Sequence, residues 1–331
     1  MLQNTMRVFV AGASGAIGSR IVARLIERGH EVIGTARSPE KLERVGAQGA
    51  TPIALDVLDA NAVRLAVADA EPDAVVHQAT ALAEMRFSRN LDRSFTETNR
   101  LRRAGTDALL AAARQAGVPR FVAQSFANTR YARTGGPVKT EGDPLDPTPV
   151  PSTHETNAAM RHLDEAVTEA GGVVLRYGNF YGASTDGLVE PVRKRQLPIV
   201  GEGGGVSSFI HLDDAAAATV LALERGVAGI YNIVDDEPAP VREWLPVLAD
   251  VLGAKPPRHV PRWLARLIAG EAAVMIGTES QGASNAKAKR ELGWELRYPS
   301  WREGFVAAYA STTPAERRKA RAAARTSHSP T

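Results

Sequence analysis

An α/β protein built on a doubly wound parallel sheet is predicted by three features of the 331-residue sequence. A run of β-formers, Arg7 to Ala11, meets Gly12, Gly15 and Gly18, and a helical pattern begins at once. Strand-length apolar runs then alternate with amphipathic helical runs as far as Arg176. Beyond Arg176 that rhythm changes, which predicts a first domain over 1–176 and a smaller C-terminal α/β substrate domain over 177–312. Segment 206–234 is expected to return to the first domain, and 313–331 to be a disordered basic tail.

At 44% hydrophobic and 23% charged, the chain can bury an ample core. It has no cysteine, which excludes disulfides, thiolate metal ligands and a cysteine nucleophile, and no metal site is read from it. No apolar run reaches the ~18 residues of a membrane helix. Met1 to Thr5 is too short and polar for a secretion signal, so a cytoplasmic location with no membrane partner is expected. The net charge of +3 sits in a tail: Arg317, Arg318, Lys319, Arg321 and Arg325 oppose only Glu316 between Pro314 and Thr331. No base-reading motif accompanies these residues, so a small molecule rather than nucleic acid is the expected partner.

The glycines of the first turn have separate tasks. Gly12 suits a tight turn, Gly15 lets backbone approach a pyrophosphate, and Gly18 lets the helix pack close to the strand. The backbone around Ser14, Ala16 and Ile17 then faces the anion, where the helix dipole favours negative charge. Ile17 to Arg28 is amphipathic and closed by Gly29, and Glu31 to Ala36 is a second strand. An acid after that strand would bind the ribose 2′-hydroxyl of NAD. Arg37 and Ser38 instead offer a cation and a hydroxyl suited to a 2′-phosphate, so NADP is expected over NAD.

Thr51 to Leu55 is a third strand ending at Asp56 and Val57. Asp56 either meets the adenine amino group or caps a turn before Asn61. Ala74 to Gln78 is a fourth strand, and Gln78, Ala79 and Thr80 are expected beneath the middle of the cofactor. His77, inside an apolar run, reads as a packed core histidine. Phe95 to Ala116 is predicted as one long helix with Asn99 in its first turns. Arg120 to Gln124 is a fifth strand ending at Ser125, whose hydroxyl suits a carbonyl hydrogen bond or caps a turn. Phe126 to Ser152 is rich in Pro and Gly and has the length of a functional loop. Ala158 to Ala170 is helical, and Val173 to Arg176 is a sixth strand. Asp213 is expected to cap a helix over Ala215 to Arg225, and Ile230 to Val234 is another strand.

Several landmarks occur together: GASGAIG, Asn99 before GTDALLAAA, Ser125, LRYGNFYG, FIHLDDAA and AKRELGW. Their order resembles the extended short-chain dehydrogenase/reductases, the NAD-dependent epimerase/dehydratase family, over Met6 to Ala310. The resemblance implies a Rossmann domain with nicotinamide beside Ser125 and beside Tyr177, Asn179 and Phe180. It also implies a homodimer through Phe95 to Ala116 and Ala158 to Ala170, where Ala111 to Ala113 would allow close helix approach. The family's catalytic pair is YxxxK. Aligned on Glu165, Asn157 stands at the tyrosine and Arg161 at the lysine. Arg161 keeps a charge that can bind ribose, but Asn157 cannot serve as a phenolic acid. Tyr131 is the expected substitute donor, ahead of Tyr177, Tyr181 and His211. Three functions follow. The first is hydride transfer between NADP(H) and a small carbonyl or alcohol. The second is nucleotide-sugar epimerisation or dehydration, with Asn179 and Arg193 to Arg195 meeting phosphates. The third is a non-catalytic NADP(H)-binding sensor.

Overall fold

The computed structural model describes residues 5–82, 88–182 and 187–310, and the basic tail lies outside them. Nine strands carry the argument: β1 (Arg7–Ala11), β2 (Glu31–Ala36), β3 (Thr51–Ala54), β4 (Ala74–His77), β5 (Arg120–Phe126), β6 (Val173–Tyr177), β7 (Asn179–Tyr181), β8 (Phe209–His211) and β9 (Gly229–Ile233). Seven of them form one parallel sheet in the order β9-β6-β5-β4-β1-β2-β3, while β7 pairs with β8 outside it. Strand order reverses between β4 and β1, the switch point where such sheets bind ligands beyond their C-terminal ends.

The helices that matter are α1 (Ala16–Glu27), α2 (Pro39–Ala47), α3 (Ala60–Ala70), α4 (Thr96–Arg100), α5 (Thr106–Gln115), α6 (His154–Glu169), α7 (Leu212–Arg225), α8 (Val241–Val251) and α9 (Trp301–Tyr309). Successive strand residues point to opposite faces. Val8 and Val10 therefore pack with Ile17, Ile21 and Leu25 of α1 and Ala215 and Leu223 of α7. Phe9 and Ala11 pack with Val63 and Val67 of α3, Leu109 of α5 and Leu163 of α6. Both faces are covered, which is why the strands read as continuous apolar runs. A third apolar cluster joins Phe209 to Trp244 of α8 and to Trp301 and Phe305 of α9. Among the described residues no helix is long and apolar enough to cross a membrane.

Four sequence expectations are corrected here. The helix predicted over Phe95 to Ala116 is broken by a π turn at Leu101–Gly105, which holds buried Arg102. Such turns occur often at functional sites. Ala112 and Ala113 are buried within the subunit, so only Ala111 of that triplet stays exposed. Helix α6 begins at His154, four residues earlier than predicted. His211, not Asp213, caps α7, its Nδ1 accepting from the Asp213 amide at 3.1 Å. The long loop is also tied down. Tyr131 bridges to Leu145, and Val138–Lys139 pairs with Gly282–Ala283.

One buried acid makes stability depend on pH. Asp235, just past β9, is 1% exposed. One of its oxygens accepts from the Glu237 amide at 3.3 Å, and the Trp301 backbone also faces the carboxyl. Burial pushes its carboxyl up to about 8; the Glu237 amide opposes this and the Glu237 charge adds to it. A folded-state value above the unfolded ~4 means that the fold keeps a proton the open chain releases. Stability therefore falls as pH rises through roughly 4 to 8. Denaturant midpoints at low and high pH within that window test this. Wild type should lose over about 1 kcal/mol more than Asp235→Asn. Identical pH slopes would mean an ionised Asp235 in the fold.

Candidate active site

The turn after β1 shows three glycines under three constraints. Gly12 has φ +87°, and a Cβ there would lie 2.7 Å from the Ala79 nitrogen and the Gln78 carbonyl carbon. A Cβ on Gly18 would collide with the Gly12 carbonyl oxygen. A Cβ on Gly15 would meet only the Gly12 oxygen, at 3.4 Å, and otherwise open space. Helix α1 starts directly at this opening, and no side chain caps it. Gly15 and Ala16 are exposed and Ser14 is half-buried. Ile17 packs into the core, so only its backbone can face a ligand. A helix N-terminus with no side-chain cap, beside open space at Gly15, fits the diphosphate of a dinucleotide.

Arg37 is exposed at the end of β2, and Ser38 caps α2 by accepting from the Lys41 amide at 3.4 Å. Asp56 is exposed and accepts from the Leu58 amide at 3.0 Å, the turn-capping alternative, while Val57 is buried. The helix before Asn61 is capped by Asp59 instead. Beyond β4, Gln78 is buried and Ala79 and Thr80 are half-buried, with the Gln78–Ala79 backbone against Gly12. His77 is buried, and burial pulls it down to about 4.

Tyr177 does not offer its side chain to a cofactor. It is 1% exposed, and its hydroxyl bonds Thr219 at 2.6 Å and accepts from Gln78 at 3.3 Å. Burial pushes it up to about 12. Asn179 and Phe180 are half-buried on β7, with Phe180 packed 5.1 Å from the Tyr177 ring.

The floor of the site is ionic. Ser125 is 4% exposed, and its Oγ accepts from Arg130 Nη1 at 2.9 Å. Arg130 Nη2 lies 2.6 Å from Asp164 Oδ2, and Arg176 Nη2 lies 2.7 Å from the same oxygen. Tyr131 is corrected as the proton donor. It is 2% exposed, donates to Asn232 Oδ1 at 2.8 Å, and accepts from Arg176 Nη1 at 3.1 Å. Its proton is committed to a structural bond.

Asp164 also fixes the rotation of α6. Its face turned to the sheet carries Thr156, Met160, Leu163 and Val167, while Arg161 and Glu165 are exposed. The alignment on Glu165 is thus one residue late. Arg161 points to solvent rather than to a ribose, and Asn157 turns back to the Thr153 carbonyl at 2.9 Å. Thr156 occupies the inward position; its hydroxyl donates to Asp92 at 2.7 Å and accepts from Asn99 at 3.1 Å. Asn99 is itself buried. The sequence of α6 contains neither tyrosine nor lysine. Sequence reasoning missed Arg102, Arg130, Asp164 and Arg176. A usable signal existed for Asp164 and Arg176, charges set inside the apolar spacing of a helix and of a strand; Arg130 and Arg102 carried none.

A parallel sheet with an open glycine crook at its switch point defines a dinucleotide-binding α/β protein. The chain belongs to the NAD-dependent epimerase/dehydratase family, whose sequence model matches residues 8–234. It is 41% identical over 308 residues to the 3-diazoavenalumate denitrifying reductase of a Streptomyces species, spanning 91% of this chain and 99% of that protein. It is 30% identical over 268 residues to the 2-alkyl-3-oxoalkanoate reductase of Stenotrophomonas maltophilia, spanning 75% of this chain and 76% of that protein. A similar solved structure is the Thermus thermophilus UDP-glucose 4-epimerase in complex with NAD. It has a TM-score of 0.68, 26% identity, and coverage of 92% of this chain and 98% of that one.

Proposed function

We propose that the protein is an NADP(H)-dependent reductase whose substrate accepts hydride without taking a proton from the enzyme. The observation that carries this is the inward face of α6, where Thr156 and Met160 stand and no phenol or amine is present. Tyr131, the substitute donor expected from the sequence, is held by Asn232 and Arg176. A ketone needs both a hydride and a proton. An arenediazonium carbon needs only the hydride. The new C–H bond forms as the C–N bond breaks, and its electron pair leaves with neutral dinitrogen. The 41% identical relative is named for a diazo substrate and for denitrification, which supports this class.

The coenzyme, when bound, supplies the hydride. Gly12, Gly15 and the start of α1 would hold its diphosphate, and Arg37 and Ser38 its 2′-phosphate. Arg130 occupies a lone pair of Ser125, which leaves the Ser125 hydrogen to donate to the substrate. The bound guanidinium polarises that hydroxyl and makes it a better donor. Epimerisation, by contrast, depends on reversible deprotonation, and α6 offers no group for it.

Two measurements test the reading. Arenediazonium acids should consume NADPH and release dinitrogen in equal amounts, while simple ketones are turned over slowly or not at all. Ketone turnover with inert diazo compounds would reverse the assignment. NADPH should bind about tenfold or more tightly than NADH, and Arg37→Ala should remove most of that preference. Equal affinities in the wild type would take the coenzyme choice away from Arg37.

A further inference from the structure

Three guanidiniums, Arg102, Arg130 and Arg176, are buried beside the C-terminal ends of β4, β5 and β6. Among the described residues Asp164 alone offers them a carboxylate, and it serves Arg130 and Arg176 through a single oxygen. Arg102 has no ion pair with any described residue. Its Nη1 reaches Asn99 Oδ1 at 3.4 Å, and its guanidinium lies 6.0 Å from the Phe95 ring centre. Nε and Nη2 make no hydrogen bond with a described residue. Yet the residue as a whole is only 7% exposed.

A cation held this far from water with no carboxylate of its own is costly. Burial pulls Arg102 down to about 10; Arg130 adds to the fall and Asp164 opposes it. The π turn at Leu101–Gly105 is what turns Arg102 inward rather than along the exposed helix face. The unbonded Nε and Nη2 atoms form the guanidinium edge that matches the two oxygens of a carboxylate.

We infer that Arg102 is an anion-binding residue of the active site and that its ligand is the carboxylate of an aromatic acid substrate. Phe95, beside the guanidinium, supplies an apolar surface next to that anion. This deepens the reductase reading and rests on it for the reaction, but not for the binding. Arg102 selects the substrate; it takes no part in hydride transfer.

The experiment measures binding, not turnover. Cinnamate and benzoate, each beside its primary amide, are titrated into the full-length protein with NADP⁺ present. Each acid should bind about tenfold or more tightly than its amide, the worth of a bidentate charged pair. In Arg102→Met the acid should fall to the level of the amide, and Arg102→Lys should restore part of the difference. Arg102→Met should not lower the melting temperature, since it relieves repulsion with Arg130. A purely structural arginine would lower it and leave the acid-to-amide ratio alone. No acid preference in the wild type, or a preference that survives Arg102→Met, overturns the proposal. NADPH binding in the same samples is read separately, and its failure would sink the reductase reading while leaving the acid preference standing.

Discussion

Gly15→Ala is expected to cost coenzyme affinity and almost no stability, whereas Gly18→Ala is expected to do the reverse first. Gly15 has φ −72° and ψ 169°, a conformation any residue adopts. Its added methyl would meet only the Gly12 oxygen, at 3.4 Å, so the fold accepts it. The same methyl occupies the space into which a diphosphate must come to reach the first amides of α1. Losing two charge-assisted amide contacts costs about 3 kcal/mol, or roughly a hundredfold in affinity. At Gly18 the methyl would overlap the Gly12 carbonyl and push α1 away from β1. Ile17, Ile21, Val22 and Leu25 of α1 are all buried, so this displacement loosens one face of the sheet. A loss of about 3 kcal/mol is expected, at the upper end for overpacking. Melting curves and NADPH titrations of both variants check the pair. Unchanged affinity in a folded Gly15→Ala protein would place the diphosphate elsewhere.

That contrast also explains which features were legible in the sequence. A glycine spacing encodes backbone conformation and clearance directly, so the crook could be read residue by residue. Strands buried on both faces left continuous apolar runs, and the sheet followed. The rest depended on rotation or on distant partners. Reading α6 from Glu165 instead of Asp164 is an error of one residue. One residue turns a helix by about 100°, enough to exchange Met160 for Arg161 at the site. The π turn changes the register of Arg102 in the same way, and nothing in a 3.6-residue period announces it. Tyr131 looked available because Asn232 and Arg176, which hold its hydroxyl, lie 101 and 45 residues away. Tyr177 was misjudged for the same reason, since Thr219 and Gln78 come from a helix and a strand end far along the chain.

Asp164→Ala is expected to be the most damaging single change in the molecule. The carboxylate is 3% exposed, and Oδ2 holds Arg130 and Arg176 together. Without it, three buried guanidiniums face one another with no opposing charge from any described residue. Breaking a buried ion pair from one side costs about 3–5 kcal/mol, because the stranded charge remains. Removing the charge as well should give much of this back. The double variant Asp164→Ala with Arg130→Met is therefore expected to be more stable than Asp164→Ala alone, by about 1 kcal/mol or more. The glycine crook lies on a different strand end, so NADPH binding should survive wherever the single variant can be kept folded at low temperature. Turnover should not survive, because Ser125 loses the orientation that Arg130 gives it. Urea midpoints for the two single variants and the double variant give the cycle. A cost below about 1 kcal/mol for Asp164→Ala would mean that the guanidiniums reach water and that the floor of the site is not an ionic clamp.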